Sequence, residues 1–137
     1  MDIRPITDGY AVSPQIDPAD MAAIRDAGYV LVLCNRPDAE NPPDLQADAM
    51  RRAAEAAGLA FVENPVTHQG LNEDMVRLQR ETIDGAGGPV LAYCASGTRS
   101  TIVWALGQAG ERPADEIVGA AANAGYDIAG LRPRLGD

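Results

Sequence analysis

The sequence predicts an α/β protein with three layers: a mostly parallel central sheet of about four strands, flanked by helices. Two observations carry that prediction. Tyr29–Cys34, Leu59–Val62 and Pro89–Tyr93 are short, nearly continuous apolar runs, the pattern of strands buried on both faces. The segments between them have the spacing of amphipathic helices, and alternating strands and helices cover a parallel sheet on both sides. Punctuation agrees, since Gly28, Gly58 and Gly88 each close a helical pattern just before an apolar run.

Each element has its own justification. Tyr10, Ala11 and Val12 read as a short edge strand. Asp17 is placed to cap the first helix, with Pro18 at its first helical position and Met21, Ala22 and Ile24 following. The second helix is predicted from about Asp44 to Ala57, with Leu45, Ala49, Met50, Ala53 and Ala57 on one face. The third starts at Asn72, carries Glu73 and Asp74 in its first turn, and ends near Asp84. Thr101–Leu106 reads as a buried helix, Pro113 to about Ala124 as the last one, and Gly130–Leu135 as an irregular tail.

Composition narrows the function. A chain of 137 residues suits one domain, 1–137, with a proper core. The net charge of −9 argues against a nucleic-acid footprint or binding to an anionic membrane surface. No apolar run approaches ~18 residues and the first residues lack the core of a signal peptide, so a cytoplasmic location is expected. Cys34 and Cys94 are too few for a disulfide scaffold, and a single histidine, His68, excludes the usual zinc patterns. No phosphate-loop or dinucleotide fingerprint is present, so neither metal nor cofactor is expected. Gly85–Gly88 follows a helix and precedes a strand, which makes it a turn rather than a phosphate cradle. Oligomeric state is left open.

One segment dictates chemistry. Cys94 ends the Pro89–Tyr93 strand and faces Ala95, Ser96, Gly97, Thr98, Arg99 and Ser100 before the next helix. Loop amides, a helix N-terminus and an arginine all favour thiolate, the reactive form of cysteine. Cys94 therefore reads as a nucleophile and Arg99 as its anion-binding partner. The competing reading is a buried strand-end cysteine, the commoner fate of the residue.

The chain resembles a bacterial family, the phosphatase-like domain of beta-lactamase-hydrolase-like proteins, also described as a sulfur-transferase family. The resemblance rests on Asp2–Pro5, Ala11–Ile16, Cys34–Asp38, the loop Tyr93–Ser100, Ala124–Asp127 and Gly130–Leu135. It implies a compact dual-specificity-phosphatase-like fold with a cysteine active site. Related chains often carry a metallo-beta-lactamase-like or flavin oxidoreductase domain, and neither is expected in these 137 residues. Where that family usually has arginine after the cysteine, this chain has Ala95, which removes one positive charge and points to a weaker hold on an anion or a smaller substrate.

Loop length directs the choice of reaction. Protein tyrosine phosphatases use Cys-x5-Arg, whereas Cys94 and Arg99 form Cys-x4-Arg, similar to rhodanese-type sulfurtransferases. The stretch Glu63–Gly70 also lacks the aspartate expected of a general acid, and thiol leaving groups need less protonation than alkoxides. The leading expectation is a sulfurtransferase. Cys94 would take sulfane sulfur from thiosulfate or a persulfide as a small anionic donor, and pass it to a thiol acceptor or cyanide. The alternatives are a phosphatase with a phosphocysteine intermediate and His68 as acid, and a non-catalytic anion- or redox-sensing module.

Supporting residues remain open at this point. Cys34 ends a strand at the same sheet edge and could resolve an oxidised Cys94, or be only a buried strand residue. Asn35, Arg36 and Asp38 could orient the Cys94 loop, or simply form a turn around Pro37. Thr98 and Ser100 offer hydroxyls within the loop, and Ser100 alternatively caps the next helix. Arg132 and Arg134 are open between clamping a substrate and tying the tail to acidic helix ends.

Overall fold

The computed structural model describes residues 1–67 and 69–136. Five strands form one sheet: β1 (Arg4–Thr7), β2 (Tyr10–Ser13), β3 (Leu31–Cys34), β4 (Ala60–Glu63) and β5 (Val90–Tyr93), in the order β1-β2-β5-β3-β4. Strands β2, β5, β3 and β4 are mutually parallel, and β1 alone runs antiparallel to β2. The helices are α1 (Met21–Asp26), α2 (Ala47–Ala56), α3 (Glu73–Gly85), α4 (Thr98–Gln108) and α5 (Ala114–Asn123).

Period-two alternation within the strands divides the core into two layers. Leu91 and Tyr93 of β5 join Val32 of β3 against Ile24 of α1 and Met50 and Ala54 of α2. Val90 and Ala92 point the other way with Leu33, against Trp104 and Ala105 of α4 and Ile117 and Ala121 of α5. Burying each large aliphatic side chain contributes roughly 1.5–3 kcal/mol, so both faces of β5 are needed to hold it centrally. This central strand delivers Cys94 at its carboxyl end, where open α/β sheets place their ligands.

The expected α/β class holds, with corrections. The sheet has five strands, not about four, because Arg4-Pro5-Ile6-Thr7 pairs as an outer strand although only Ile6 is buried. A proline and a register shift between Pro5 and Thr7 suit an edge position and hide the strand from an apolar pattern. The Tyr10–Val12 segment is therefore not an edge; it lies between β1 and β5 and is wholly buried. Helix α2 starts at Ala47, after a 3-10 turn at Pro43–Leu45. In the third strand connection the glycine with positive φ is Gly87 rather than Gly88. Residues Ala129–Arg134 form a 3-10 helix instead of an irregular tail. Asp17 and Asn72 do cap their helical segments, each accepting a backbone N–H.

Candidate active site

Strand β5 ends at Tyr93, and the chain turns into α4 within four residues. Gly97 makes that turn possible. It sits at φ +94° as the residue preceding α4, and a Cβ there would fall 2.1 Å from the Tyr126 hydroxyl. Its N–H donates to Cys94 Sγ at 3.1 Å. Tyr126 braces the outside of the loop by donating to the Ser96 carbonyl at 2.9 Å, and Arg4 lies over its ring at 5.2 Å. Helix α4 begins three residues earlier than Thr101, so its first turn adjoins the Cys94 loop; the Thr98 N–H donates to Ser96 Oγ at 3.3 Å, and the amides of Arg99 and Ser100 follow it. Ser96 and Thr98 engage each other through their hydroxyls, and Gln15 N–H holds the Ala95 carbonyl at 3.2 Å.

Arg99 is held from one side. Its Nη1 donates to Glu40 Oε2 at 2.8 Å and to the Val66 carbonyl at 2.9 Å, and its Nη2 donates to Glu40 Oε1 at 2.7 Å. These bonds occupy the Nη1–Nη2 edge of the guanidinium and leave Nε and the second Nη2 hydrogen for other acceptors. The Arg99 side chain is only 5% exposed. Glu40 keeps the Arg99 guanidinium more strongly protonated than usual, and the Cys94 sulfur adds to the same effect. In return the Arg99 hydrogen bond holds the Glu40 carboxyl below its ordinary range. Arg36 completes the charged rim, reaching Glu40 Oε1 at 3.2 Å and Gln15 Oε1 at 3.1 Å.

Behind this rim lies a buried neutral network. Asn35 and Gln79 exchange amide hydrogen bonds in both directions, at 2.8 and 3.1 Å. Ser100 Oγ donates to Asn35 Oδ1, Asn64 donates to Gln79 Oε1, and Gln79 Nε2 reaches the Tyr10 hydroxyl. Tyr10 in turn donates to the Ser100 carbonyl at 2.7 Å. Both amides thereby use every donor and both acceptor positions. Such a closed set fixes the start of α4 against β2, β3 and α3, because breaking one member strands another without a partner.

The predicted residues thus separate into groups. Cys94, Ala95, Ser96, Gly97, Thr98, Arg99 and Ser100 are brought together in one loop. Asn35 supports it through Ser100, and Arg36 through Glu40 and Gln15. Ser100 lies within α4 and is not its cap. Asp38 serves elsewhere: its carboxylate accepts the Ala47 N–H at 2.8 Å and so caps α2. His68 lies outside the described residues. Cys34 belongs to the opposite core layer, where its thiol donates to the Arg36 carbonyl at 3.4 Å. Burial pushes that thiol up, and its charged and polar neighbours are Tyr93, Arg36, Glu63 and Asp38 rather than Cys94. Among the described residues no cluster of histidine, cysteine and carboxylates could hold a metal.

Sequence reasoning missed Glu40, Gln79, Tyr10 and Tyr126. Gln79 left a trace, since it interrupts the apolar stripe of Val76 and Ile83 at helical spacing and is the buried residue of α3. Glu40 left none, because its pairing with Arg99 spans 59 positions of chain.

A cysteine at the end of a central parallel strand, followed by a glycine turn, a helix N-terminus and a clamped arginine, defines a dual-specificity-phosphatase-like α/β protein. Within that class, the chain belongs to the phosphatase-like domain family of beta-lactamase hydrolase-like proteins, whose family model matches residues 2–111. The beta-lactamase hydrolase-like protein of Xylella fastidiosa (strain Temecula1) is 31% identical over 130 residues, covering 93% of this chain. The chain spans 30% of that relative's length. The crystal structure of a candidate phosphatase from Neisseria meningitidis Z2491 is similar with a TM-score of 0.85 and 35% identity, covering 98% of this chain and 96% of that one. TpbA of P. aeruginosa, solved in complex with phosphotyrosine, shares the fold at TM-score 0.63 and 15% identity, covering 98% of this chain and 90% of that one.

These findings overturn the expected sulfur transfer. The family's phosphatase-like domain and the Neisseria structure point to phosphate chemistry, and the expected partners, a thiosulfate or persulfide donor with a thiol or cyanide acceptor, fall with that reading. The physical reason is that loop length was the wrong discriminator. Because α4 starts at Thr98, first-turn amides supplement a short Cys-x4-Arg loop, and residue count alone does not set the size of the anion it encloses.

Proposed function

We propose that this chain is a cysteine-dependent phosphatase acting on phosphate monoesters through a phosphocysteine intermediate. The observation that carries the reading is the joint placement of Cys94 and Arg99. The Gly97 N–H reaches the sulfur, and the guanidinium is clamped on one edge so that its other edge faces an incoming anion. Family membership supports the same reaction class.

In the proposed cycle Cys94 Sγ attacks phosphorus while the bond to the ester oxygen breaks. Arg99 and the amides at the start of α4 stabilise the charge on the three non-bridging oxygens, as preorganised donors do for phosphoryl transfer. Water then attacks the phosphocysteine, the S–P bond breaks, and inorganic phosphate leaves with the thiolate restored. The departing ester oxygen takes up one proton. Glu40 is unsuited to supply it, because Arg99 keeps this carboxyl ionised. His68 is carried forward as the proposed donor, to be judged by the acid limb of the pH–rate profile in His68→Ala.

Phosphate release from phenyl phosphate by wild type and Cys94→Ser tests the proposal. Wild type should turn over, and a quench of the reaction should show an adduct of about 80 Da on Cys94. Equal release by Cys94→Ser would sink the nucleophile assignment. Anion binding without turnover would favour the sensing module instead.

A further inference from the structure

A cleft of about 320 Å³ opens at Arg99, between the segment before α3, helix α4 and the C-terminal 3-10 helix. Val66, Leu71, Ile102 and Leu131 form its walls, and a second arginine, Arg134, lines it with Arg99. We infer that this cleft selects phosphate monoesters carrying a second anionic group, a carboxylate or a further phosphate, which Arg134 binds while the first phosphate occupies the Cys94 loop. The inference rests on the phosphatase reading and names the substrate class of that same site.

The charge inventory supports it. The chain has 20 acidic and 11 basic residues, and every basic residue is an arginine. Nine of those arginines pair with a carboxylate: Arg4, Arg25, Arg36, Arg52, Arg77, Arg80, Arg99, Arg112 and Arg132. Arg51 lies over the Phe61 ring. Arg134 has no carboxylate partner among the described residues, in a chain where acids outnumber bases nearly two to one. Lining a cleft with Arg99, and without a carboxylate partner among the described residues, Arg134 is placed for a ligand charge.

The tail is built to hold it there. Arg132 pairs with Asp115 in the first turn of α5, and Leu135 is buried at 1% exposure. Arg134 lies between these two anchors, so its backbone is fixed while its side chain remains exposed. The two tail arginines thus divide their work: Arg132 ties the tail down, and Arg134 is left to the cleft. A larger groove of about 640 Å³ adjoins through Leu71 and Arg134, but its other arginines are engaged, Arg77 by Asp74 and Arg80 by Asp84 and Glu111. The apolar residues that line the cleft with Arg99 and Arg134 suit an aromatic or short alkyl body joining two anionic groups.

The test measures kcat/KM for phenyl phosphate, 4-carboxyphenyl phosphate and 1,4-phenylene bisphosphate, in wild type, Arg134→Ala, Arg134→Glu and Arg52→Ala. The decisive quantity is the ratio of each dianionic ester to phenyl phosphate, in which intrinsic ester reactivity cancels between variants. Wild type should favour the esters with a second charge, and Arg134→Ala should lower that ratio about tenfold, chiefly through KM, as loss of a charged hydrogen bond does. Arg134→Glu should reverse the preference, and Arg52→Ala, whose arginine lies on α2, should leave it unchanged. If the two dianionic esters respond differently to Arg134→Ala, that difference identifies which anion the subsite takes. Turnover of all three esters with the same ratio in wild type and Arg134→Ala would overturn the subsite while leaving the phosphatase reading intact. No turnover of any ester by wild type would overturn both.

Discussion

Cys34 and Cys94 leave neighbouring strands of one sheet, Cys34 at the end of β3 and Cys94 just beyond β5, yet they enter opposite environments. Cys34 packs among Val32, Met50 and Leu91, donates to a carbonyl of its own turn, and is pushed up by burial toward the neutral thiol. Cys94 lies one residue past the register partner of Cys34, and that single step sends it to the other face. There it accepts an amide N–H and sits near Arg99. Both are buried free thiols, so burial does not separate the proposed nucleophile from the packing cysteine. What separates them is the set of partners: the Cys34 thiol donates to a carbonyl, whereas the Cys94 sulfur accepts the Gly97 N–H beside Arg99.

The largest effect that can break this contrast is the exchange of the two roles. Cys94→Ser should lower phosphate release on the order of 10³-fold or more with little change in melting temperature. Cys34→Ala should do the reverse, costing about 1–2 kcal/mol of stability in denaturant unfolding while leaving phosphate release within about twofold. A loss of activity in Cys34→Ala as deep as that in Cys94→Ser would place both thiols in one cycle and refute the division of roles. Next in size is Gly97→Ala, which keeps the N–H to Cys94 but forces a side chain into a positive-φ position facing the Tyr126 hydroxyl. It should cost about 2–3 kcal/mol in unfolding and reduce turnover as the loop shifts. A variant as stable and active as wild type would show that the loop turns freely without glycine.

The same contrast explains what could be read in advance. The α/β class, the order of helices and the Cys94–Ser100 loop were legible because they depend on local pattern: apolar runs, caps and a cysteine followed by small residues. The opposed faces of Cys34 and Cys94 were hidden, since which side a strand-end residue takes depends on register, and β3 and β5 lie more than fifty residues apart in the chain. Strand β1 escaped because an edge strand with one buried residue lacks a hydrophobic signature. The choice between sulfur and phosphate failed for a related reason: the proposed anion site adjoins a helix whose start, at Thr98, a spacing count does not reveal. Glu40 was illegible in principle, being one of 20 acidic residues and distinguished only by where its loop meets Arg99.

Glu40 also sharpens the comparison at its smallest scale, because it sets what Arg99 offers to the Cys94 side. With its carboxylate on the Nη1–Nη2 edge, the guanidinium cannot rotate that edge toward the substrate, and the free edge is presented in one orientation. Glu40→Gln keeps the size and one acceptor but loses the charge, so Arg99 should be less well ordered and kcat/KM should fall about tenfold, mainly in kcat. A purely structural role for Glu40 would lower stability alone and leave kcat unmoved. The pH dependence gives the second readout. The folded-state pKa of Glu40 is depressed, chiefly by the Arg99 hydrogen bond, from an ordinary value of 4.5. Its contribution to stability is therefore complete above that value and is lost as pH falls through the lower folded-state value. The stability gap between wild type and Glu40→Gln, followed by denaturant unfolding, should be constant from pH 8 to 5, by about one unit steps, and close below the ordinary carboxylate range. A gap that persists undiminished in acid would mean that the pair's charge contributes nothing, and that Glu40 holds Arg99 by shape.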